Sequence, residues 1–562
     1  MKNLKLYSLV FIGFIMGCEP YDPSEDLPPN DFFQDSVTGK AAPLSKEEYN
    51  NLTPEQQYRV ANKLLATMFR GISVHDFFDL SQGVSSLAVK DSNFLNTVAT
   101  KLVTAIPTIE DSPPVGESID DLKDRIGRLG TAGSLFNIST KANGATQEIA
   151  LAHTTQLPLS STSFDHWIAY ILANSILFSP AEEIDSTDAL DTFAVYNRLV
   201  TQLSDNNTIP SMILSHEVSA ENWRRFRSPE DNTREMIEIY LGIFVPEPDG
   251  SEQNDVVNAS IACQDLYLTD GEDDLRIYEL DSTGIINTTQ VLVLDTFVVT
   301  CNDFYNLVAS HPSAIPRMVA TVVEILMLDR SGADRAAMIQ SISAAEPQTF
   351  QDIFSAVIFS KEYLLYTERA KSFEENFYNT AARLKYELPA DHFVDTASCS
   401  NNDGCQNVET FLGNMNWPSM TNKLGRLAGV PLDTLSFAHY HRGFRENMVI
   451  FNGDYETGLI DSPDTVQPDL KSENGSVITN TIVSNMTDPE FLDYLFLSML
   501  ERKADSNEIT VLTDLMNPSD KSASARIILD YISRLPEQYY FNCTKGMSTD
   551  SNGDLILGVC VQ

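Results

Sequence analysis

Helix-start signals followed by apolar residues at helical spacing recur along the chain and predict a mainly α fold. Ser45 and Thr53 are good N-cap residues, and Pro54 suits a first helical position. The apolar residues that follow share one helical face; they are Tyr58, Val60, Leu64, Leu65 and Met68. Residues 164–178 are apolar nearly all round, which predicts a buried helix. We therefore expect a multi-helix globular body.

The stretch NWRRFRSPEDNTREM at residues 222–236 gathers arginines in a strongly acidic chain. Ser228 and Pro229 predict a helix start there, because serine caps well and proline suits the first turn. Glu230 and Asp231 already occupy the positive end of that helix. We therefore interpret the arginines as partners of acids whose stems cover apolar surface, with an anion site as the alternative.

A small β insertion is predicted near residues 255–300. The turn signal Asp270-Gly271 separates two segments rich in β-forming residues, and a β-branched run follows. Acidic residues crowd this turn and could bind calcium, although their spacing does not match an EF-hand. A solvated acidic turn is the simpler interpretation. The residues concerned are Asp270, Glu272, Asp273 and Asp274.

The chain is long enough for two or three domains, and its composition divides it into six segments. Near the C terminus, Asn552-Gly553 before a strand-like run predicts a β-hairpin. The six segments are a lipoprotein signal peptide (1–17), an acidic proline-rich tether (18–44), an N-terminal helical domain (45–250), the β-rich insertion (251–305), a C-terminal helical domain with a weak internal repeat (306–540) and a disulfide-closed hairpin (541–562).

The first eighteen residues predict export and lipid anchoring. Lys2 and Lys5 precede an apolar run that is too short to span a bilayer, which needs about 20 residues. The run ends in IMGC at residues 15–18, which resembles a bacterial lipobox and implies that Cys18 carries the lipid. We therefore predict a lipid-anchored protein of the cell envelope at the outer membrane, and an ordinary cleaved signal peptide is the alternative.

Six further cysteines predict disulfide bonds, because exported proteins meet an oxidising environment. They fall into three pairs, each close in sequence, although six cysteines allow fifteen connectivities. The predicted pairings are Cys263–Cys301, Cys399–Cys405 and Cys543–Cys560. Zinc binding is the alternative, but the chain has no Cys-x-x-Cys pair of the kind that zinc sites favour.

Charge and missing motifs exclude several function classes. The chain has 79 acidic residues against 38 basic ones, a formal net charge of −41. Such a chain repels phosphates, so we predict no nucleic-acid partner. It also lacks a nucleophile elbow, a Walker loop, a zinc-protease motif and a dinucleotide fingerprint. We therefore predict no cofactor, and a binding role more readily than an enzyme.

Two stretches of the C-terminal half resemble each other. The first runs from LDR at residues 328–330, through a polar break and two helices, to SKEY at residues 360–363. The second runs from LER at residues 500–502 to RLPEQY at residues 534–539. They form a weak internal repeat of a helical hairpin unit, and two copies are too few for a solenoid.

This Leu-x-Arg and Ser-x-Glu-Tyr-Leu pattern resembles a large group of uncharacterised exported bacterial proteins that carry domains of unknown function. KSFEENF at residues 371–377 and SPEDNTREMIEIYLGIF at residues 228–244 are similar to further motifs of those families. Lysine replaces the family's proline at position 361. The resemblance implies a mostly helical fold and an association with secreted sulfatase-like proteins, and it supplies no catalytic residues.

Residues 415–447 are the candidate binding site, because aromatic and basic side chains gather there. Arginine can hold a planar carboxylate with two hydrogen bonds, so this basic island would suit an anionic glycan. If the segment is a strand, His439 and His441 share one face and could hold a metal ion. Side chains that neutralise nearby acids are the alternative. The basic island comprises Trp417, Lys423, Arg426, His439, His441, Arg442 and Arg445.

Three function classes remain open. The first is a non-catalytic, membrane-anchored envelope lipoprotein that binds a glycan, a peptide or a secreted protein partner. The second is a metal-dependent hydrolase with a site around His439 and His441. The third is a surface glycan-capture lipoprotein of an outer-membrane import system. We favour the first, because an anchor, a tether and a helical body are predicted and a catalytic motif is not.

Overall fold

Helices dominate this computed structural model, which confirms the predicted mainly α class. The structure describes residues 32–77, 93–105, 158–173, 175–177, 189–226, 228–243, 253–270, 278–284, 287–369, 371–383, 386–387, 471–472, 486–516, 524, 528–529, 531–541, 548–549 and 555–556.

The helices are numbered here in chain order. They are α1 (Phe33–Ser36), α2 (Lys46–Asn50), α3 (Pro54–Thr67), α4 (Val74–Phe77), α5 (Phe94–Val103), α6 (Ser161–Ala173), α7 (Ala189–Ser204), α8 (Ile209–Glu217), α9 (Ala220–Arg225), α10 (Pro229–Leu241), α11 (Asn254–Ala262), α12 (Cys301–Ser310), α13 (Ala314–Leu326), α14 (Gly332–Ser343), α15 (Phe350–Ile358), α16 (Phe373–Arg383), α17 (Asp488–Leu500) and α18 (Ser506–Leu515). Short 3₁₀ helices cover Gly39–Ala41, Cys263–Asp265 and Pro536–Gln538, and a π-helix covers Glu362–Tyr366.

Helix boundaries follow the predicted caps. Thr53 Oγ1 accepts the backbone N–H of Gln56 at 3.3 Å to start α3. Ser228 Oγ accepts the N–H of Asp231 at 3.1 Å to start α10. The latter helix ends at Gly242, whose φ of +65° is a left-handed conformation that glycine adopts without steric cost.

The arginine-rich stretch is built into this helix entrance. Arg234 pairs with Glu230 across one helical turn at 3.0 Å. The guanidinium of Arg225 lies 4.5 Å from the centre of the Phe226 ring. Arg234 therefore pairs with acids and Arg225 lies against an apolar ring, in agreement with the prediction, whereas Arg227 lies outside the described residues.

The β insertion is confirmed as two antiparallel hairpins closed by a disulfide bond. The strands are β1 (Leu266–Asp270) with β2 (Tyr278–Ser282), and β3 (Val291–Val293) with β4 (Thr296–Val298). Cys263 and Cys301 are both buried, and their sulfurs are bonded at 2.01 Å. The first predicted pairing is therefore confirmed.

Two shorter strand pairs lie further along the chain. Strand β5 (Tyr386–Glu387) pairs with β6 (Lys471–Ser472), and β7 (Ser548–Thr549) pairs with β8 (Leu555–Ile556). The second pair lies within the predicted C-terminal hairpin, whereas the Asn552-Gly553 turn lies outside the described residues.

A single hydrophobic core cluster contains residues of both predicted helical domains. Trp167 of α6 meets Phe354 of α15 edge to face, with ring centres 5.1 Å apart. Tyr58 of α3 and Leu495 of α17 belong to the same cluster. The boundary predicted near residue 250 therefore does not divide the core.

Part of the predicted tether is docked on the helical body. In residues 32–44, Val37 and Ala41 are buried. The N–H of Leu44 donates to the carbonyl of Phe359 at 2.9 Å. Residues 32–44 are therefore packed on the body, because apolar contacts and backbone bonds hold a segment that was expected to extend from it.

The internal repeat has a physical counterpart. Arg330 pairs with Glu362, which begins the π-helix at the end of the first copy. Arg502 pairs with Glu537 of the closing 3₁₀ helix at 3.4 Å and with Glu508 at 2.7 Å. In both copies the arginine after the first helix reaches a glutamate at the closing turn. A repeated ion pair therefore ties together the two ends of each unit.

A network of buried charged side chains lies among α3, α16, α17 and the π-helix. Glu501 is only 3% exposed and accepts Asn62 Nδ2 at 2.6 Å. Arg383 Nη1 lies 3.3 Å from the same carboxylate oxygen, and Lys371 Nζ lies 3.9 Å from it. Nearby, Arg369 pairs with a glutamate by two hydrogen bonds, and a buried lysine donates to two carbonyls. We call this set the buried charge network: Asn62, Lys63, Arg369, Lys371, Glu375, Arg383 and Glu501.

Candidate functional site

A cleft of about 960 Å³ opens where the N-terminal segment meets α5, α6, α7 and α15. We call it the α6–α15 cleft. Its apolar walls include Phe32, Phe33, Leu102, Phe164, Leu203 and Phe359. Its polar lining includes Gln34, Asp35, Ser161, Thr162, Asp165, Asn206, Gln351 and Asp352. A concave site that combines apolar side chains with convergent polar groups can hold a small ligand.

Local caps position the two helices that define the cleft. Before α6, Ser160 Oγ accepts the N–H of Ser163 at 3.3 Å, and Ser163 Oγ accepts the N–H of Ser160 at 3.0 Å. At α15, Thr349 Oγ1 accepts the N–H of Asp352 at 3.2 Å, and the Asp352 carboxylate accepts the N–H of Thr349 at 2.9 Å. These reciprocal bonds fix the first turn of each helix.

Asp165 and Gln351 are hydrogen-bonded to each other in the lining of the cleft, and we call this pair the polar floor. Gln351 Nε2 donates to Asp165 Oδ1 at 2.9 Å and to the carbonyl of Leu203 at 2.8 Å. Both amide hydrogens are therefore used, since a glutamine amide has two. Gln351 Oε1 is buried and meets no hydrogen-bond partner among the described residues.

The orientation of the Gln351 amide follows from these neighbours. A flipped amide would place its oxygen against the Leu203 carbonyl and the Asp165 carboxylate, which are both acceptors. Two acceptors repel each other without a hydrogen between them. The observed orientation therefore holds, and Gln351 presents an acceptor as its remaining polar group.

Burial dominates the electrostatics of Asp165, which is 6% exposed. Desolvation raises the pKa of its carboxyl to about 7, and the hydrogen bond from Gln351 offsets part of this effect. Within the part of the chain that the structure describes, no cation pairs with this carboxylate. Asp165 therefore changes its charge near neutral pH.

The charged residues of the cleft lining are all acidic. Asp35, Asp165 and Asp352 line the cleft, and the described residues around it include no Lys, Arg or His. A cleft with one sign of charge concentrates ligands of the opposite sign. The site therefore accepts neutral or cationic ligands and disfavours anions.

The residues predicted as functional lie mostly outside the described ranges. These are the lipid-bearing Cys18, the other predicted disulfide cysteines Cys399, Cys405, Cys543 and Cys560, and the whole basic island of Trp417, Lys423, Arg426, His439, His441, Arg442 and Arg445. Their roles stay predictions.

The described residues offer neither a metal site nor a membrane-spanning helix. In those residues, no group of three His, Cys, Asp or Glu side chains is arranged to hold a metal ion. Of the acidic turn, only Asp270 is described, at the end of β1. None of the described helices combines the length and the apolar content that a bilayer crossing requires.

Comparison of the chain with protein-family models, with curated proteins and with solved structures found no match. The predicted resemblance to exported bacterial proteins therefore stays a prediction. Arguments about function therefore rest on the geometry of the described residues.

Sequence reasoning missed the α6–α15 cleft. Its lining comes from five separate stretches of the chain, which no local pattern brings together. One local signal was present: Asp165 is an acid inside a helix that is otherwise apolar nearly all round. An ionisable group buried in this way often marks a functional site.

Proposed function

We propose that this protein is a non-catalytic, lipid-anchored protein of the cell envelope that binds a glycan in the α6–α15 cleft. One observation carries the proposal: aromatic walls stand beside a polar floor formed by Asp165 and Gln351. The cleft volume, about 960 Å³, also falls at the upper end of the range of small-ligand pockets.

The lining suits the two kinds of surface that a sugar presents. The C–H face of a sugar ring is apolar and can pack on aromatic side chains such as Phe32 and Phe33, which are partly exposed in the lining. Sugar hydroxyls donate hydrogen bonds, and Asp165 and Gln351 supply buried acceptors for them. A buried acceptor is costly when it stays unpaired, so a donor-bearing ligand gains affinity there.

The predicted anchor places this cleft near a membrane. The wall at Phe32 follows Cys18 by a short stretch, residues 19–31, which spans at most about 50 Å when fully extended. A lipid on Cys18 would therefore hold the α6–α15 cleft close to the envelope surface, where glycans are abundant ligands. This support depends on the predicted lipobox.

The alternative functions differ in whether they would use the α6–α15 cleft. A glycan-capture lipoprotein of an import system would use the same kind of site, so the cleft is compatible with that role. The hydrolase hypothesis rests on His439 and His441, outside the described residues. The anionic glycan predicted for the basic island does not suit the acidic α6–α15 cleft, so the two sites are separate proposals.

The proposal is tested with a variant in which a large side chain blocks the cleft. The experiment screens glycans by calorimetry against wild type and against Thr162→Trp, which places a large ring in the cleft. Thr510→Trp is the matched control, because Thr510 is an exposed residue of α18, which does not line the cleft.

We expect at least one glycan to bind wild type and Thr510→Trp, and to lose binding in Thr162→Trp. Unchanged binding by Thr162→Trp would place the site elsewhere. A complete lack of glycan binding by the wild type would contradict the proposed function.

A further inference from the structure

We infer that the glycan bound in the α6–α15 cleft carries a free amino group, whose ammonium binds at Asp165 and Gln351. The inference rests on the proposed function and names its ligand class more closely. It follows from three features of the described residues: the floor offers acceptors, the lining is acidic, and the walls are apolar.

The polar floor presents hydrogen-bond acceptors, so it favours a ligand that donates hydrogen bonds. Gln351 donates both of its amide hydrogens, one to Asp165 and one to the Leu203 carbonyl. Its Oε1 is left buried with no partner among the described residues. The Asp165 carboxylate, when ionised, is also an acceptor only. An ammonium group carries three donors and matches these acceptors better than a hydroxyl, which carries one.

The negative charge of the Asp165 carboxylate favours a ligand that carries a positive charge. Asp165 is 6% exposed, and no Lys, Arg or His of the described residues pairs with it. Its raised pKa agrees with a carboxylate that lacks a counter-ion. Asp35 and Asp352 are the other charged groups of the lining, and they add to the negative potential. A ligand ammonium would supply the missing charge and form a charge-assisted hydrogen bond.

The apolar residues of the lining favour a ligand that also has apolar surface next to its positive charge. Phe32 and Phe33 are partly exposed in the lining of the same cleft, so a ligand that fills the cleft needs apolar surface as well as its charge. A hydrated metal ion has no such surface. A sugar with an amino substituent has both, because the ring offers its C–H face and the substituent offers the ammonium.

The test compares four oligosaccharides of equal length and linkage by calorimetry at neutral pH with the full mature chain. They are β-1,4-linked oligomers of glucose, N-acetylglucosamine, glucosamine and glucuronic acid. We expect the glucosamine oligomer to bind about tenfold or more tightly than the glucose oligomer, because it adds a charge-assisted hydrogen bond. The glucuronic acid oligomer should bind most weakly.

Two substitutions test whether the preference for the glucosamine oligomer arises at Asp165 and Gln351. Asp165→Asn should bring the glucosamine-to-glucose affinity ratio close to one, and Asp205→Asn should leave it unchanged. Asp205 is an exposed residue that follows α7 and does not line the cleft. Should Asp165→Asn fail to fold, Gln351→Met removes the other acceptor and should also reduce the ratio.

The outcomes separate the inference from the proposed function. Equal binding of the glucose and glucosamine oligomers, or a preference that survives Asp165→Asn, would overturn the amine inference and leave glycan binding intact. Competition by 1,5-diaminopentane as strong as that of the glucosamine oligomer would overturn the saccharide part. Binding of none of the four would contradict the proposed function itself.

Discussion

Buried charge is handled in opposite ways in two regions of this protein. In the buried charge network, Glu501 faces Arg383, Lys371 and Asn62. In the α6–α15 cleft, Asp165 is almost as deeply buried and its described partner is an amide. A buried charge is tolerated when it is paired, and it costs stability when it is not. The comparison indicates that the network serves the fold, whereas under the proposed function the charge in the cleft serves a ligand.

The pKa directions agree with this contrast. In the network, burial lowers the pKa of Lys371 to about 8, and the neighbouring Glu501 partly restores it. In the cleft, burial raises the pKa of Asp165 to about 7, and no cation among the described residues pairs with it to lower that pKa. Unpaired ionisable groups that cost stability are a recurring property of functional sites.

The largest expected effect is loss of the network's shared acceptor. Glu501→Ala should lower the free energy of unfolding by about 3–5 kcal/mol, because it leaves Arg383 and Lys371 buried beside no carboxylate at that point. Urea unfolding followed by circular dichroism measures it. Glu238→Ala is the control at an exposed position of α10 and should stay within about 0.5 kcal/mol. Equal stabilities of the two variants would remove the structural role assigned to the network.

The opposite sign is expected in the cleft. Asp165→Asn should raise the free energy of unfolding by up to about 4 kcal/mol at about pH 8, because it removes a desolvated carboxylate. The raised pKa stabilises the wild type below about pH 4, and this contribution is lost as the pH rises to about 7. The gain should therefore nearly vanish at about pH 4. A destabilised variant at about pH 8 would show that Asp165 is structural.

A smaller loss is expected for the repeated ion pairs, which are partly exposed. Arg330→Ala and Arg502→Ala should each cost about 1.5–3 kcal/mol, since each removes hydrogen bonds between charged groups. Thermal unfolding of the two variants beside wild type measures this. A large loss in one variant alone would mean that the two copies of the repeat are not held together in the same way.

The smallest effect is expected at Glu217, a buried carboxyl that lines neither region. Both of its oxygens are buried without a partner among the described residues, and burial raises its pKa well above the ordinary value. We expect it to be neutral at pH 7, so Glu217→Gln should change stability by less than about 1 kcal/mol. Chemical unfolding at neutral pH checks this, and a large loss would show that Glu217 is ionised and paired.

Local patterns predicted the parts of the fold that depend on neighbouring residues. The caps at Thr53 and Ser228 appear in the sequence because each cap bonds a residue three positions on. The Cys263–Cys301 bond was predictable because the two cysteines lie close in sequence within one insertion. The repeat was visible because each arginine needs a glutamate at the end of its unit.

Long-range packing was not predictable in the same way. Residues 18–44 were predicted to be a tether because the stretch after Cys18 is rich in Pro, Asp and Glu and poor in aliphatic residues. Contacts such as Lys40 with Asp334 at 2.9 Å nevertheless dock residues 32–44 on a distant part of the chain. The α6–α15 cleft exists only after such packing, so Asp165 was its single local trace. The basic island at residues 415–447 lies outside the described residues and stays a prediction.

The most direct measurement is a titration of the Asp165 carboxyl itself, by carbon-13 NMR on aspartate-labelled protein with Asp165→Asn as the assignment control. The account predicts a pKa of about 7 in the free protein. It also predicts that the pKa falls when a glucosamine oligomer binds, because a nearby ammonium favours the charged carboxylate. A free-protein pKa near the ordinary 3.8 would contradict the claim that this cleft holds a buried carboxylate without a counter-ion.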